Sequence, residues 1–264
     1  MKSNPNIHPS AIVHPGAQIA EGVIVGPYCT IGESVSLGAN TVCHSHVNIQ
    51  GLTTIGEDCQ IYPFASLGTA PQDLKYNGEA TRLVIGNNNK IREYVTMNTG
   101  TQQDRGVTTV GSNGLFMMGC HVAHDCVIKD NVILANSVAI GGHVTVGDHA
   151  IVGGNAAVHQ FVRIGCYAMI GAMSMVANDV IPYAIVKGDR AKVHGLNLVG
   201  LKRSGFSREL IAELKSIYEA LFNSGGLFAD RLTKARTMSS NHEAVRVLLD
   251  FVTENSKMQL LQTA

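Results

Sequence analysis

Apolar residues recur at every sixth position through about two-thirds of the chain. The series runs from Ile7 to Met97, skips one segment without losing its phase, slips by one residue, and continues from Val110 to Val176. A small or β-branched residue usually follows four positions after each apolar residue, and glycine often follows directly, as at Gly38. Such self-similarity at a fixed period is typical of repeat architectures, in which each unit is one small structural element.

A unit of six residues is long enough for one short strand and one turn, and three units close a coil of eighteen residues. We therefore predict a parallel β-helix with a triangular cross-section, whose narrow interior holds the apolar residues. The aromatic content of 5% and the absence of Trp agree with that interior. Glycine beside the apolar residues suits turns that need a positive φ. A β-sandwich would instead show alternation with period two and irregular turns.

Two segments interrupt the repeat, at residues 69–84 and 101–109. The first spans eighteen residues from Leu67 to Ile85 and keeps the phase, which fits a regular coil that bulges outward as a loop. The second carries the slip of one residue and must leave the coil. Loops that interrupt a regular scaffold often carry function, so we expect both to hold substrate. The alternative is an insertion that the surface tolerates.

The repeat ends after Lys187, so we predict a β-helical domain over residues 1–187 and a helical domain over residues 188–264. Apolar spacing and capping residues predict three helices there, over about 207–222, 226–238 and 240–255. Ser207 is the expected N-cap of the first, and Ser240-Asn241-His242-Glu243 reads as a capping box for the last. A helical tail of this kind closes the open end of a β-helix, which needs a cap.

Charge and composition restrict the partners. Lys plus Arg equals Asp plus Glu at 20 each, so there is no basic surplus of the kind that binds nucleic acid. No apolar run is long enough for a membrane span, and the first residues lack a signal-peptide core. The six cysteines are scattered, several at interior positions, which favours a reducing compartment and a cytoplasmic protein. Flat prism faces favour a closed ring of three copies, a homotrimer.

The densest group of polar residues is Cys120 to Cys126, followed by Gly141-Gly142-His143 and His159-Gln160. A step of eighteen residues leads from His124 to Gly142 and from Gly142 to Gln160, so these three should stack on adjacent coils. His121, His143 and His159 lie within a few residues of that column. His124 and Asp125 occupy the third and fourth places of their unit, where side chains should point outward.

This column predicts a base and an oxyanion site. An imidazole oriented by a carboxylate can remove a proton from a hydroxyl, and Asp125 would orient His124 if the turn brings them together. The N–H of Gly142 can stabilise an oxyanion, while the acceptor hydroxyl itself attacks, so that no Ser or Cys nucleophile is needed. Two alternatives remain open: a zinc site formed by His121, His124 and His143, and histidines that are plain surface residues.

Basic residues follow the repeats, at Lys202, Arg203 and Arg208. Arginine suits bidentate binding of a diphosphate, and an electropositive rim would attract an acidic carrier protein. The alternative is a solvated run of charge.

Several stretches together resemble one family. They are Gln72-Asp73-Leu74-Lys75-Tyr76, His121-Val122-Ala123-His124-Asp125-Cys126, Gly142-His143, Ala157-Val158-His159-Gln160-Phe161, Gly200-Leu201-Lys202-Arg203 and Gly205-Phe206-Ser207-Arg208-Glu209. The chain resembles the UDP-N-acetylglucosamine O-acyltransferases of lipid A biosynthesis, which are left-handed parallel β-helices and act as homotrimers. Hexapeptide repeats alone would be weak support, because many acyltransferases share them. Their combination with the loop and tail motifs is specific.

The resemblance implies transfer of a 3-hydroxyacyl group from acyl carrier protein to the 3-hydroxyl of UDP-N-acetylglucosamine. It implies His124 as general base, Asp125 as its partner and the Gly142 N–H as oxyanion donor, with Ala172 at the acyl-length determinant. It also implies no metal and no cofactor beyond the phosphopantetheine of the carrier protein. The substrate contacts it implies are Gln72, Asp73, Lys75, His121, His143, His159, Gln160, Asn197 and Arg203.

The chain departs from the family's pattern at four positions. Asn98-Thr99 stands where some members have His-Arg, Val199 where some have Glu, and Ser204 where some have a second Arg. The resemblance therefore assigns no nucleotide contact at these positions. The alternatives are a related N-acyltransferase, which carries an extra N-terminal domain, an acetyl-CoA-dependent transferase, and a non-catalytic trimeric scaffold or zinc β-helix.

Overall fold

The computed structural model describes residues 4–240 and 242–264, so that residues 1–3 of the predicted first domain and Asn241 of the predicted capping box lie outside the described part. Short parallel strands in the described residues form three sheets, which we name sheets I, II and III in the order in which the chain first enters them. Each turn of the chain contributes one strand to every sheet, so that the three sheets are the faces of a triangular prism.

Sheet I contains β1 (Asn6–Ile7), β4 (Ile24–Val25), β7 (Val42–Cys43), β10 (Gln60–Ile61), β13 (Lys90–Ile91), β16 (Leu115–Phe116), β19 (Ile133–Leu134), β22 (Ile151–Val152), β25 (Met169–Ile170), β27 (Ala184–Lys187) and β28 (Lys192–Leu196). Sheet II contains β2 (Ile12–Val13), β5 (Thr30–Ile31), β8 (Asn48–Ile49), β11 (Ser66–Thr69), β14 (Thr96–Asn98), β17 (His121–Val122), β20 (Ala139–Ile140), β23 (Ala157–Val158) and β26 (Met175–Val176). Sheet III contains β3 (Gln18–Ile19), β6 (Val35–Leu37), β9 (Leu52–Ile55), β12 (Arg82–Ile85), β15 (Val107–Val110), β18 (Val127–Ile128), β21 (Thr145–Val146) and β24 (Arg163–Ile164).

The register between coils matches the predicted period. Val42 pairs with Gln60 in sheet I and Ala139 pairs with Ala157 in sheet II, both eighteen residues apart. The apolar position of almost every unit is buried, as Ile61 and Leu134 are, and these side chains form a continuous interior together with the small residues that follow them. Each coil buries these side chains against its neighbours in the interior, which explains why the apolar period is so regular.

The predicted role of the glycines is confirmed at Gly68, which follows Leu67 with a φ of 73°, but it is wrong in the regular units. Gly38 and Gly56, directly after an apolar residue, do not have a positive φ; instead, a Cβ on Gly38 would lie 2.5 Å from the carbonyl carbon of Gly56. Glycine is therefore needed there because the backbones of successive coils approach closely. The positive φ angles occur two residues later in the unit, where Asn40 and Asp58 have φ of 58° and 55°.

Both interruptions leave the prism at the same edge, where the chain passes from sheet II to sheet III. We name this edge II–III, and the other two are edge I–II and edge III–I. The excursions cover residues 70–81, between β11 and β12, and residues 99–106, between β14 and β15, so each is shorter than the predicted 69–84 and 101–109. Ser66 pairs with Thr96, 30 residues on, and Thr96 with His121, 25 residues on. Relative to eighteen, these steps add twelve and seven residues. Twelve is two units, so the first loop preserves the phase without being a regular coil.

The C-terminal region begins with a hairpin. Strand β28 pairs antiparallel with β27, so the predicted boundary after Lys187 falls inside this hairpin. Four helices follow: α1 (Leu198–Arg203), α2 (Arg208–Phe222), α3 (Phe228–Met238) and α4 (Glu243–Thr253). Helix α1 was not expected from the sequence. Ser207 caps α2 as predicted, because its hydroxyl accepts from the N–H of Leu210 at 3.1 Å.

The predicted role of Ser240 in capping is wrong. His242 is the N-cap of α4, and its Nδ1 accepts from the N–H of Ala244 at 3.1 Å. Ser240 bonds instead to the carboxylate of Glu213 on α2, with its N–H at 2.6 Å and its hydroxyl at 3.0 Å. The serine hydroxyl also accepts from the N–H of His242 at 3.1 Å, so Ser240 holds the segment before α4 against α2 and does not itself cap the helix.

Helix α4 closes the last coils. The guanidinium of Arg163 bonds to the buried carboxylate of Asp179 at 2.7 Å, to Glu254 at 2.7 Å and to the carbonyl of Phe251 at 3.2 Å. The hydroxyl of Tyr183 donates to the carbonyl of Ala244 at 3.0 Å. These contacts attach the tail to the prism. Within residues 4–240 and 242–264, no helix has the length and apolar character needed to cross a membrane.

Candidate functional site

A histidine and an aspartate meet at edge II–III, in the turn between β17 and β18. Asp125 has a φ of 58°, and this turn brings its Oδ2 to 2.9 Å from Nδ1 of His124. The side chains point out of the coil, as expected, but they are buried: His124 is 7% exposed and Asp125 is 2% exposed. The loop of residues 99–106 on the preceding coil covers them, which the hexapeptide pattern could not show.

Thr101 in that loop holds the carboxylate of Asp125. The Thr101 N–H lies 3.0 and 2.9 Å from the two carboxylate oxygens, and the hydroxyl donates to Oδ2 at 2.6 Å. A carboxylate held in this way is an acceptor, so Nδ1 of His124 carries the proton that it donates to Asp125. The lone pair of His124 is therefore on Nε2. Thr101 was missed by the sequence reasoning, although it lies in the segment marked as a break.

Gly142 faces the other side of the His124 ring. A Cβ on Gly142 would lie 2.7 Å from Nε2 of His124 and 2.6 Å from Cε1, so only glycine leaves that nitrogen unobstructed. The coils are in the predicted register, because the N–H of His143 donates to the carbonyl of His124 at 3.0 Å and the N–H of Phe161 donates to the carbonyl of Gly142 at 3.0 Å. Within the described residues, the N–H of Gly142 donates to no acceptor, so it is free to bind an oxyanion beside Nε2.

A second imidazole and carboxylate lie beside the first pair. His143 Nδ1 lies 2.5 Å from Oδ2 of Asp104, which belongs to the same loop as Thr101. The ring of His143 meets the ring of His124 edge to face, with centroids 4.9 Å apart, and stacks on Phe161 at 4.3 Å. Asp104 and Phe161 were not among the predicted site residues. Asp104 carries no pattern that distinguishes it from the polar residues around it.

The cluster also has the composition of a metal site. One possible ligand atom from each of His124, Asp125 and His143 lies within 4.8 Å of the others. However, Asp125 already accepts bonds from Thr101 and His124, and Nδ1 of His143 is engaged by Asp104. His121, which the zinc alternative included, lies on β17 with its Nδ1 2.8 Å from the hydroxyl of Thr96. Burial, and then the neighbouring His124, lower the pKa of His121.

The structure divides the remaining predicted residues among three edges. Edge II–III also carries His159 and Gln160, both exposed, and the loop of residues 70–81 with Gln72, Asp73 and Lys75. In that loop the Asp73 carboxylate accepts from the N–H of Lys75 at 2.9 Å.

Ala172 lies at edge I–II, between β25 and β26. Asn197 lies at edge III–I, where its amide donates to the carbonyl of Tyr167 at 3.0 Å, and Arg203 ends the helix that Asn197 caps. One chain therefore does not bring these groups together.

Two of the departures from the family pattern anchor the first loop. The side-chain amide of Asn98 donates to the carbonyl of Ala70 at 3.0 Å, at the start of the loop. The hydroxyl of Thr99 lies 3.0 Å from that of Thr81, at its end. Asn98 and Thr99 are each 3% exposed, so their side chains support the loop from below.

Sequence families match both ends of the chain. Residues 179–259 match the family described as UDP-N-acetylglucosamine O-acyltransferase, domain 2, and residues 4–39 match the bacterial transferase hexapeptide family. An acyl-[acyl-carrier-protein]–UDP-N-acetylglucosamine O-acyltransferase from Azorhizobium caulinodans is 54% identical over 96% of this chain and 94% of its own length. One from Rickettsia canadensis is 53% identical over 96% of both chains.

Solved structures agree along the whole chain. The UDP-N-acetylglucosamine O-acyltransferase of Moraxella catarrhalis matches with a TM-score of 0.93 and 43% identity, over 97% of this chain and 99% of that chain. The UDP-N-acetylglucosamine acyltransferase of Arabidopsis matches with a TM-score of 0.83 and 37% identity, over 97% and 100%. With the hexapeptide match, this confirms the expected left-handed parallel β-helix with a C-terminal helical region.

Proposed function

The chain belongs to the UDP-N-acetylglucosamine O-acyltransferase family and is an acyltransferase, and from this premise we propose that it moves a 3-hydroxyacyl group from acyl carrier protein to the 3-hydroxyl of UDP-N-acetylglucosamine, the first step of lipid A biosynthesis. One observation carries the proposal: Nδ1 of His124 lies 2.9 Å from the Asp125 carboxylate, while Nε2 of the same ring faces Gly142, whose N–H is free among the described residues. This is the arrangement that acyl transfer to a hydroxyl requires.

His124 acts as general base. Its Nε2 takes the proton of the sugar 3-hydroxyl as the hydroxyl oxygen attacks the thioester carbonyl carbon of the donor. Asp125 keeps Nδ1 protonated and stabilises the imidazolium that forms, and Thr101 fixes Asp125. General-base catalysis by a positioned side chain contributes about 10²- to 10⁴-fold in rate.

Gly142 stabilises the tetrahedral intermediate. The carbonyl oxygen becomes an oxyanion that accepts from the Gly142 N–H. When the intermediate collapses, the C–S bond breaks, and the phosphopantetheine thiolate takes the proton from His124. The products are the 3-O-acylated sugar nucleotide and the free thiol of the carrier protein, so the reaction needs no cofactor of its own and no metal.

Three groups of residues would bind the substrates. Gln72, Asp73, Lys75, His121, His143, His159 and Gln160 lie on or beside edge II–III and would contact the sugar and the acyl chain. Ala172 would limit acyl length, and Asn197 with Arg203 would bind the nucleotide. Lys202 and Arg203 end α1 and Arg208 begins α2, and this basic patch suits the diphosphate and an acidic carrier protein. Both substrates would be met in the cytoplasm.

We propose a homotrimer because the site is incomplete in one chain. His124, Ala172 and Asn197 lie on three different edges of the prism, and a ring of three parallel prisms brings different edges of neighbouring copies together. A base from one copy would then face nucleotide contacts from the next.

The assay that tests the reaction combines the purified protein, UDP-N-acetylglucosamine and 3-hydroxyacyl carrier proteins of several chain lengths, with acetyl-CoA as the alternative donor. We expect an O-acylated sugar nucleotide from at least one carrier-bound chain and none from acetyl-CoA. Failure with every chain length would contradict the reaction, and use of acetyl-CoA would identify a different donor.

Mixed assemblies test the shared site. His124→Ala and Arg203→Ala should each be nearly inactive alone. When the two variants are unfolded, mixed in equal amounts and refolded together, about a quarter of the sites should contain both native residues and regain activity. If the mixture is no more active than its components, each site belongs to a single chain.

A further inference from the structure

We propose that Asp104 is a positioning residue, which acts through His143 and fixes the tautomer of that imidazole in the active site. The inference rests on the proposed function, since it is the reaction at His124 that His143 would serve. Asp104 touches neither His124 nor Gly142 through any hydrogen bond in the described residues, so its influence would pass through His143 alone.

The geometry of His143 leaves one ring nitrogen for substrate. Asp104 Oδ2 lies 2.5 Å from Nδ1, and the parallel stack on Phe161 and the edge-to-face contact with His124 hold the plane of the ring. The carboxylate is an acceptor, so Nδ1 carries a proton that it donates to Asp104. In the neutral ring Nε2 is then an acceptor, placed to receive a hydrogen bond from a hydroxyl or an amide N–H of the sugar.

The loop of residues 99–106 therefore serves both imidazoles. Thr101 fixes the carboxylate on Nδ1 of His124, and Asp104 is itself the carboxylate on Nδ1 of His143. The two pairs differ in exposure, because the side chain of Asp125 is fully buried and that of Asp104 is 41% exposed. Water can compete for hydrogen bonds to the Asp104 carboxylate. The Asp104–His143 bond should therefore contribute less to the rate than the Asp125–His124 bond. Arg105 does not divert the carboxylate, since its guanidinium donates to the carbonyl of Val107 at 3.2 Å.

Kinetics of three variants measure the effect. Asp104→Ala should lower kcat/KM for UDP-N-acetylglucosamine about tenfold, the range expected when a partly exposed hydrogen bond to a charged group is lost. The kcat/KM of Asp104→Asn should lie between those of Asp104→Ala and the native enzyme, because a carboxamide oxygen still accepts from Nδ1. Gln103→Ala, an exposed neighbour in the same loop, should remain within about twofold of the native enzyme.

Nitrogen NMR of protein labelled with ¹⁵N-histidine provides a readout that a merely structural role would not change. The His143 resonances are identified by their loss in His143→Gln. We expect a protonated Nδ1 and an unprotonated Nε2 in the native protein, and the opposite tautomer in Asp104→Ala, because free imidazole favours a proton on Nε2. An unchanged tautomer in Asp104→Ala, or kcat/KM within about twofold of native, would overturn the assignment. A native protein that transfers no acyl group while Asp104→Ala still switches the tautomer would instead contradict the proposed function.

Discussion

Two edges of the prism carry a histidine in the same backbone setting, and only one of these histidines belongs to the candidate site. His46 on edge I–II and His143 on edge II–III have φ angles of 59° and 62°. Both stack on a phenylalanine of the next coil, with ring centroids 5.0 Å apart for His46 and Phe64 and 4.3 Å apart for His143 and Phe161. The repeat therefore places both rings in the same way.

The difference comes from the coils that precede each histidine. The coils before His46 are regular, and the ring of His46 meets the ring of Tyr28 with centroids 5.0 Å apart. Two coils before His143 the chain leaves the prism over residues 99–106, and this loop brings the carboxylate of Asp104 to His143 and covers His124. Regular coils therefore fix the positions of these side chains, whereas the interruption adds the groups that determine their chemistry.

Apart from loss of the His124 imidazole itself, Gly142→Ala should have the largest effect. The new methyl group would lie 2.7 Å from Nε2 of His124, so it would displace the ring and obstruct the oxyanion site. We expect kcat to fall by about 10²- to 10³-fold, as when an oxyanion donor is lost. Gly154→Ala is the matched control, at the same place of its unit on edge I–II, where the nearest atom to a Cβ is 3.3 Å away. Equal losses in the two variants would mean that edge II–III is not special.

Thr101→Ala should have the next largest effect. It removes the 2.6 Å hydrogen bond from the threonine hydroxyl to Asp125 but keeps the backbone bonds. Loss of a hydrogen bond to a charged group costs about 1.5–3 kcal/mol, so kcat should fall by about tenfold or more. Thr101→Ser should restore it. Thr108→Val is the control, because the Thr108 hydroxyl has no partner within the described residues; a similar loss there would indicate a general effect on the loop.

Phe64→Ala tests edge I–II and should affect stability only. Phe64 stacks on His46 and on Tyr94, with the latter ring at 5.1 Å and an angle of 10°. It is 48% exposed, so we expect the free energy of unfolding to fall by about 1 kcal/mol. Chemical denaturation measures this, and kcat should stay within about twofold of native. A large loss of activity would show that the aromatic stack around Phe64, and not only Ala172, takes part in the reaction on this edge.

The cysteine thiols of the interior should show no measurable difference in reactivity between edge I–II and edge II–III. Burial raises the pKa of Cys120 and of Cys126 to about 12, although the turn of Cys126 carries His124 and that of Cys120 does not. The thiolate is the reactive form, so at pH 8 both thiols should remain protonated and unmodified by an aromatic disulfide reagent in the folded protein. Both should react in denaturant. Selective modification of Cys126 in the native state would show that the core beneath the site opens.

Much of the fold is predictable because every coil obeys one physical constraint. The interior admits one large apolar side chain per unit and a second, usually smaller one four residues later, so positions such as Ile61 and Leu134 follow from counting. The same counting places Gly142 beside His124. The cap at Ser207 is predictable as well, because it depends on residues three positions apart.

The rest depends on contacts that no local pattern contains. Thr101 reaches Asp125 only because seven added residues fold back over the next coil. His242 caps α4 in place of Ser240, while Ser240 also contacts Glu213, on a helix distant in sequence. Helix α1, six residues long, is too short to show a helical period. The residues that support the His124–Asp125 pair were therefore less predictable than the pair itself.

The most direct test of the central claim is the single-turnover rate of acyl transfer in His124→Gln compared with His46→Gln. Both substitutions remove an imidazole from a turn that contains a residue with a positive φ. Of the two, only His124 has a carboxylate on Nδ1 and a glycine facing Nε2. We expect a loss of about 10³-fold or more for His124→Gln and a rate within about twofold of native for His46→Gln. A His124→Gln enzyme that transfers the acyl group at the native rate would contradict that claim.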